Sequence, residues 1–291
     1  MTTFPKPLHL VVGLVLACGS VALADGNPPE QTPAQHTEAM AREHAGDTPE
    51  PSPMTSLEPA VPVTAERVVY GSVGGSEVTG YVARPKAGGD GLPGVIVIQE
   101  WWGLNENIEA MTRRLAGEGY LALAVDLYGG KVGTTRDEAR ALTRAARENP
   151  DALDAHLRAA YRWLDAQGAP AIGSIGWCFG GGLSLRTALL HPETLDAAVI
   201  YYGRVVTDPQ ELAPLRVPIL GLFGSEDGGI PIETVRAFEA ALRGHGQEPT
   251  IHVYEGADHA FANPSGTRYD ADAAERAWAE TTAFLAAHLK D

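Results

Sequence analysis

Cysteine is nearly absent from this 291-residue chain: only Cys18 and Cys178 occur. That excludes a disulfide-built scaffold, a Cys-rich zinc module and a C-x-x-C redox pair, because Cys178 has no resolving partner nearby. Basic residues are also few, 22 Lys and Arg against 37 Asp and Glu, giving a formal net charge of −15. Such an acidic surface repels nucleic-acid phosphates and anionic lipid headgroups, so neither is expected as a partner. Aromatic residues make up 7% of the chain, yet 44% is hydrophobic, enough for a sizeable core. No internal repeat is seen.

Long apolar runs are scarce too. The one near the start, Leu10 to Ala17 and loosely on to Ala24, follows Lys6 and is short and Gly-interrupted. That is the layout of a secretory signal rather than a membrane span. Two exits are written in it. Ala22-Leu23-Ala24 offers signal cleavage before Asp25, and Val15-Leu16-Ala17-Cys18 is a lipobox in which Cys18 would carry lipid. Residues 1–24 are therefore expected to direct export to the periplasm or outside, with membrane attachment only through a lipid anchor at Cys18. Removal or acylation of Cys18 leaves Cys178 as a lone thiol.

Residues 25–65 are rich in Pro, Glu, Thr, Ala and Gln, without aromatics or sustained apolar periodicity. This composition predicts a disordered tether. His36 and His44, beside Glu38 and Glu43, lack the His-Glu-x-x-His spacing of a helical metal site and read as solvated side chains.

The folded domain is expected over 66–291. Alternation over 68–72 and 78–84 around Gly74-Gly75 predicts an antiparallel hairpin. Strands are predicted over 95–98, 121–125, 171–175, 197–201, 219–223 and 250–254, the first two as buried central ones. Helices are predicted over 105–118, 135–147, 152–167, 181–190, 232–243 and 271–289. Alternating strands and helices after an antiparallel start imply a mostly parallel sheet with helices on both faces.

Gly176-Trp177-Cys178-Phe179-Gly180 lies between a strand and a helix, with Cys at the centre of a G-x-C-x-G elbow. A nucleophile on such a strained turn needs small neighbours, and the helix start behind it favours thiolate. A carboxylate and a histidine follow in that order: Asp227 after the 219–223 strand and His259 after the 250–254 strand, both at loops where parallel sheets place ligands. His259 is the expected base and Asp227 its orienting partner. Glu226 and Asp258 read as solvated loop carboxylates, and His252 as structural. The Phe179 amide is one expected oxyanion donor.

These motifs, with Gln99-Glu100-Trp101-Trp102-Gly103-Leu104-Asn105 after a strand, Ile230-Pro231 after Asp227 and Phe261 after His259, resemble the dienelactone hydrolases (carboxymethylenebutenolidases). The resemblance spans about 68–289 and implies an α/β-hydrolase fold and cleavage of a small ester or lactone through a cysteine thioester. It implies no metal or organic cofactor. It assigns Glu100 to regulating the thiol and the Trp101 amide to the second oxyanion donor, with Trp102, Tyr128, Lys131 and Phe261 around the substrate. Two arginines that hold a substrate carboxylate in the family are missing: Lys131 and Asn263 stand at the corresponding places, leaving Arg204 and Arg268 as substitutes. Weak selectivity for carboxylate-bearing substrates is the resulting expectation. A non-catalytic binding protein of the same fold is the alternative, disfavoured by the complete triad.

Overall fold

The computed structural model describes residues 1–2 and 33–290. The expected signal sequence beyond Thr2, its two expected exits and Cys18 lie outside the described residues. Eight strands form one sheet: β1 (Val63–Val73), β2 (Ser76–Pro85), β3 (Gly94–Ile98), β4 (Leu121–Val125), β5 (Ile172–Trp177), β6 (Ala197–Tyr201), β7 (Ile219–Gly224) and β8 (Thr250–Tyr254). Their order is β1-β2-β4-β3-β5-β6-β7-β8. β2 runs antiparallel to both β1 and β4, and every other neighbouring pair is parallel.

β3 to β7 are buried along their whole length, as their unbroken apolar runs predict for strands covered on both faces. The helices are α1 (Pro33–Glu43), α2 (Glu106–Gly117), α3 (Arg136–Arg147), α4 (Pro150–Ala166), α5 (Phe179–Leu190), α6 (Pro209–Leu212), α7 (Ile232–Gly244) and α8 (Ala271–Leu289). Successive strand residues face opposite sides. On β5 a side chain at Gly173 would meet Leu289 of α8, whereas Ser174 Oγ bonds Ser184 Oγ of α5 at 2.8 Å. The two helices thus cover opposite faces. Asn105 caps α2 by accepting from the Ile108 amide at 3.2 Å, the expected start of that helix.

The tether expected over 25–65 is corrected from Pro33 onward, while residues 25–32 lie outside the described residues. From Pro33 onward the chain is ordered: α1 packs on α3, and β1 begins at Val63 by pairing with β2 out to Pro85. Thr37, Ala39 and Met40 are buried, and Glu38 accepts from Arg140 at 3.2 Å and Arg144 at 3.0 Å, both on α3. Further along, the Ser52 amide donates to Asn107 Oδ1 at 2.9 Å. The segment is too polar to form a core alone. It is held because its few apolar residues and its acidic groups meet partners already fixed by the domain.

Candidate active site

Cys178 sits between β5 and α5 with φ 54 and ψ −114, a left-handed conformation that costs a non-glycine residue energy. The flanking glycines make that turn possible. A Cβ at Gly176 would lie 2.1 Å from the Gly180 carbonyl oxygen, and one at Gly180 would lie 2.3 Å from that of Ile98. The elbow is locked to the neighbouring strand by the Cys178 amide, which donates to Tyr201 O at 3.0 Å. Phe179 is the first residue of α5, so its N–H belongs to the group left unpaired at a helix start.

The ends of β7 and β8 bring Asp227 and His259 to the thiol. His259 Nε2 lies 3.3 Å from Cys178 Sγ, and His259 Nδ1 lies 2.8 Å from Asp227 Oδ2. Asp227 Oδ1 accepts from the amides of Gly229 and Ile230, each at 2.8 Å. All three side chains are buried. Burial opposes ionisation of Asp227, but His259 and the two amides outweigh it and hold the carboxyl below its usual value. Burial likewise opposes protonation of His259, yet Asp227 and Cys178 raise it well above an ordinary imidazole. For Cys178 burial favours the thiol, and the two neighbouring imidazoles reverse this, bringing it down to about 6.

The second of those imidazoles is His44. Read in the sequence as a solvated tail residue, it is fully buried, with Nε2 3.4 Å from Cys178 Sγ and Nδ1 2.8 Å from Asp47 Oδ2. Its ring stacks on Trp101 at 4.6 Å between centroids and meets His259 edge-on at 5.3 Å. Asp47 Oδ1 in turn accepts from the amide and hydroxyl of Thr267, at 2.7 and 2.8 Å. Burial disfavours the Asp47 carboxylate, but His44 and Thr267 lower it to about 2. His44 itself is raised, Asp47 and Cys178 overcoming its burial. The thiol therefore lies between two His–Asp pairs, one from the domain and one from the N-terminal arm. An i,i+3 His–Asp spacing carries no signal of its own, and the sequence reading missed it.

Glu100, at the end of β3, is buried as the resemblance implies. Its Oε2 accepts from Asn263 at 3.0 Å, its Oε1 has no hydrogen-bond partner, and burial raises it to about 7. Asn263 thus holds Glu100 in the place where an anion-binding arginine was expected. Trp101 and Trp102 are buried beside His44, and Phe261 packs among Tyr201, Tyr202 and Tyr254. Phe261 supports the His259 loop from within the core rather than lining a cavity at the thiol.

A cavity of about 260 Å³ opens on Cys178, walled by Phe179, Leu153, Leu183 and Leu189, with Arg147 and Arg204 among its lining residues. Lys131 is exposed and, with Tyr128, lines a separate cavity beside His156. Tyr128 donates to Trp101 O at 3.2 Å, bonds Thr143 and stacks on Phe179, a supporting position. Arg268 bonds Glu43 at 3.2 Å and approaches Asp47 and Asp258, so it secures the arm instead of facing a substrate. Arg147 was not foreseen. Its guanidinium lies 5.3 Å from the Phe179 ring, its Nε is buried without a partner, and burial lowers it to about 10. Of the rival residues, Glu226 is exposed and His252 pairs with Glu280 at 3.4 Å.

With a cysteine on a strand-to-helix elbow, an imidazole and its carboxylate at the neighbouring strand ends, and a mostly parallel eight-stranded sheet beneath them, the fold is that of an α/β-hydrolase. Residues 78–289 match the Dienelactone hydrolase family, and the chain belongs to it. An Escherichia coli K12 protein provisionally named carboxymethylenebutenolidase is 34% identical over 252 residues, which cover 81% of this chain and 93% of that one. A Klebsiella pneumoniae structure provisionally described as a dienelactone hydrolase shares 32% identity with a TM-score of 0.68, over 77% of this chain and 99% of its own. The metagenomic dienelactone hydrolase-like promiscuous phosphotriesterase P91 shares 25% identity with a TM-score of 0.71, over 78% and 98%.

Proposed function

We propose that this hydrolase cleaves a carboxylic ester or lactone through a thioester on Cys178. The observation that carries this reading is the unbroken line from thiol to imidazole to carboxylate, 3.3 and 2.8 Å, on a strained elbow. The thiol proton passes to His259 Nε2, and the thiolate attacks the substrate carbonyl carbon. The oxyanion that forms is met by the Phe179 and Trp101 amides. Collapse breaks the ester C–O bond, and His259 returns its proton to the departing alkoxide. Water, deprotonated by His259, then attacks the thioester, releasing the acid and restoring the thiolate. Asp227 holds the imidazole tautomer throughout. Glu100 is neutral below about pH 7, so it adds no second negative charge beside the sulfur.

An activated aryl acetate should leave an acetyl adduct on Cys178. Rapid acid quench and peptide mass spectrometry should place one added acetyl group on the 178 peptide. Turnover with no adduct there, under conditions that trap other thioesters, would reject the mechanism. A binding protein of this fold would show neither turnover nor adduct.

The cavity revises the expectation about substrate charge. Arginines are absent from positions 131 and 263, but Arg147 brings a partly buried guanidinium with an unpaired Nε to the thiol from α3. A buried donor without an acceptor favours a ligand that supplies one. The acyl portion of the substrate is therefore proposed to carry a carboxylate or similar anion beside apolar carbon. Arg147→Ala should raise KM for a carboxylate-bearing ester about tenfold or more and leave a neutral aryl acetate within a few-fold. Equal losses for both esters would show that Arg147 supports the fold rather than the substrate.

A further inference from the structure

Both imidazoles at Cys178 have the same wiring. Each places Nδ1 2.8 Å from a buried aspartate and Nε2 3.3 or 3.4 Å from the sulfur. A carboxylate accepts, so each Nδ1 carries a proton, and each Nε2 is turned to the one sulfur. Two ring nitrogens thus converge on Sγ from two sides, and either protons or a metal ion can bridge them to it.

The donor set suits a metal. Zn²⁺ takes imidazole nitrogen and thiolate sulfur, and its histidines characteristically give their other N–H to a carboxylate. In a tetrahedral site with Zn–N of about 2.0–2.1 Å and Zn–S of about 2.3 Å, nitrogen and sulfur lie about 3.5 Å apart. His44 Nε2, His259 Nε2 and Cys178 Sγ all lie within 4.8 Å of one another, and both N–S separations are close to that spacing. Two carboxylates, Asp47 and Asp227, are buried beside the imidazoles, and Glu100 Oε1 has no partner. The two Nε2 atoms, within 4.8 Å of each other, must close by ring rotation toward the roughly 3.4 Å of a tetrahedral site. The fourth position stays open to water or a substrate oxygen.

We propose that His44, Cys178 and His259 bind Zn²⁺ as a three-ligand site, completed only when the N-terminal arm is docked. Binding forms one Zn–S and two Zn–N bonds and releases to solvent whatever protons the sulfur and the two Nε2 atoms hold between them. The metal occupies the lone pairs on which the thioester chemistry depends, so it and the ester compete for Cys178. This inference shares the nucleophile with the hydrolytic reading and rests on it for that competition, but not for the binding itself.

Co²⁺ is the spectroscopic probe. Added to the metal-free full chain, it should give one equivalent of tetrahedral visible bands and a near-ultraviolet sulfur-to-cobalt charge-transfer band. Zn²⁺ should bleach both. Cys178→Ser, which keeps the arm and both histidines, should lose the charge-transfer band. His44→Ala and Asp47→Asn should each weaken Co²⁺ binding by about 10- to 100-fold, the effect expected for a lost ligand or its hydrogen-bonded support. Zn²⁺ should inhibit aryl acetate turnover in the parent, with the inhibitory concentration raised at least tenfold by His44→Ala. The inference is overturned if the parent shows no thiolate band, or if His44→Ala binds Co²⁺ with unchanged affinity. An intact band in a chain that cleaves no ester would instead reject only the hydrolytic reading.

Discussion

Replacing Cys178 with alanine should lower kcat/KM for an aryl acetate by about 10⁴-fold or more, the size of effect seen when a nucleophile of a triad is removed. Cys178 is the single free cysteine among the described residues, and no other side chain at the elbow can form the acyl-enzyme. The fold should persist. Alanine keeps the Cβ, and the strained φ of 54 is imposed by the surrounding elbow rather than by the sulfur. Circular dichroism should therefore match the parent, with a modest loss of thermal stability from the small void. Cys178→Ser should retain trace activity, because the pocket is tuned to a thiolate and an alkoxide is far harder to form. Turnover by the alanine variant within several-fold of the parent, with contaminating esterases excluded, would remove Cys178 from the mechanism.

The elbow and the Cys178–His259–Asp227 line were legible because their signals are local. Gly176 and Gly180 bracket the cysteine at a spacing that only a tight turn needs, and Asp227 and His259 each follow an apolar strand directly. β3 to β7 were legible for the same reason, since their apolar runs of five or six residues end at turn residues, whereas β8 lies at the sheet edge with only Tyr254 buried. What could not be read depends on contacts far apart in the chain. Met40 and Ala39 are too few to mark a core helix until α3 is there to cover them. Arg147 looks like any basic residue at a helix end, and only the α3–α5 arrangement carries it to Phe179. Asn263 fills an expected arginine position, yet its amide is used by Glu100, whose burial creates the need for a donor. The strand ends thus carry a hydrolase site that local pattern predicts, and the arm adds a second His–Asp pair that local pattern conceals.

Removing the arm is the test of that second pair. A chain beginning at Pro62 retains β1 and the whole sheet but lacks His44 and Asp47. In the full chain the Cys178 thiol is lowered to about 6 despite burial, by His259 and then by His44. Both imidazoles act in the same direction, stabilising the negative charge on sulfur, so losing one must raise the pH at which the thiolate forms. The rate of alkylation by iodoacetamide reports the thiolate directly. In the full chain it should reach half its plateau near pH 6, and in the shortened chain the midpoint should rise by at least about one pH unit, a tenfold loss of thiolate below it. Ester turnover near pH 6 should fall in proportion. Exposing Trp101 and Trp102, which the arm now covers, should also lower the melting temperature, and this packing effect must be separated from the electrostatic one. His44→Ala in the full chain does so: it leaves α1 on α3 through Glu38, Arg140 and Arg144, and should reproduce the shift in alkylation with less thermal loss. A midpoint that stays near 6 in both proteins would mean that His259 alone sets the thiolate and that His44 is packing. A shift in the shortened chain but not in His44→Ala would assign the effect to hydration of the site, since water admitted where the arm had lain also changes how the sulfur is solvated.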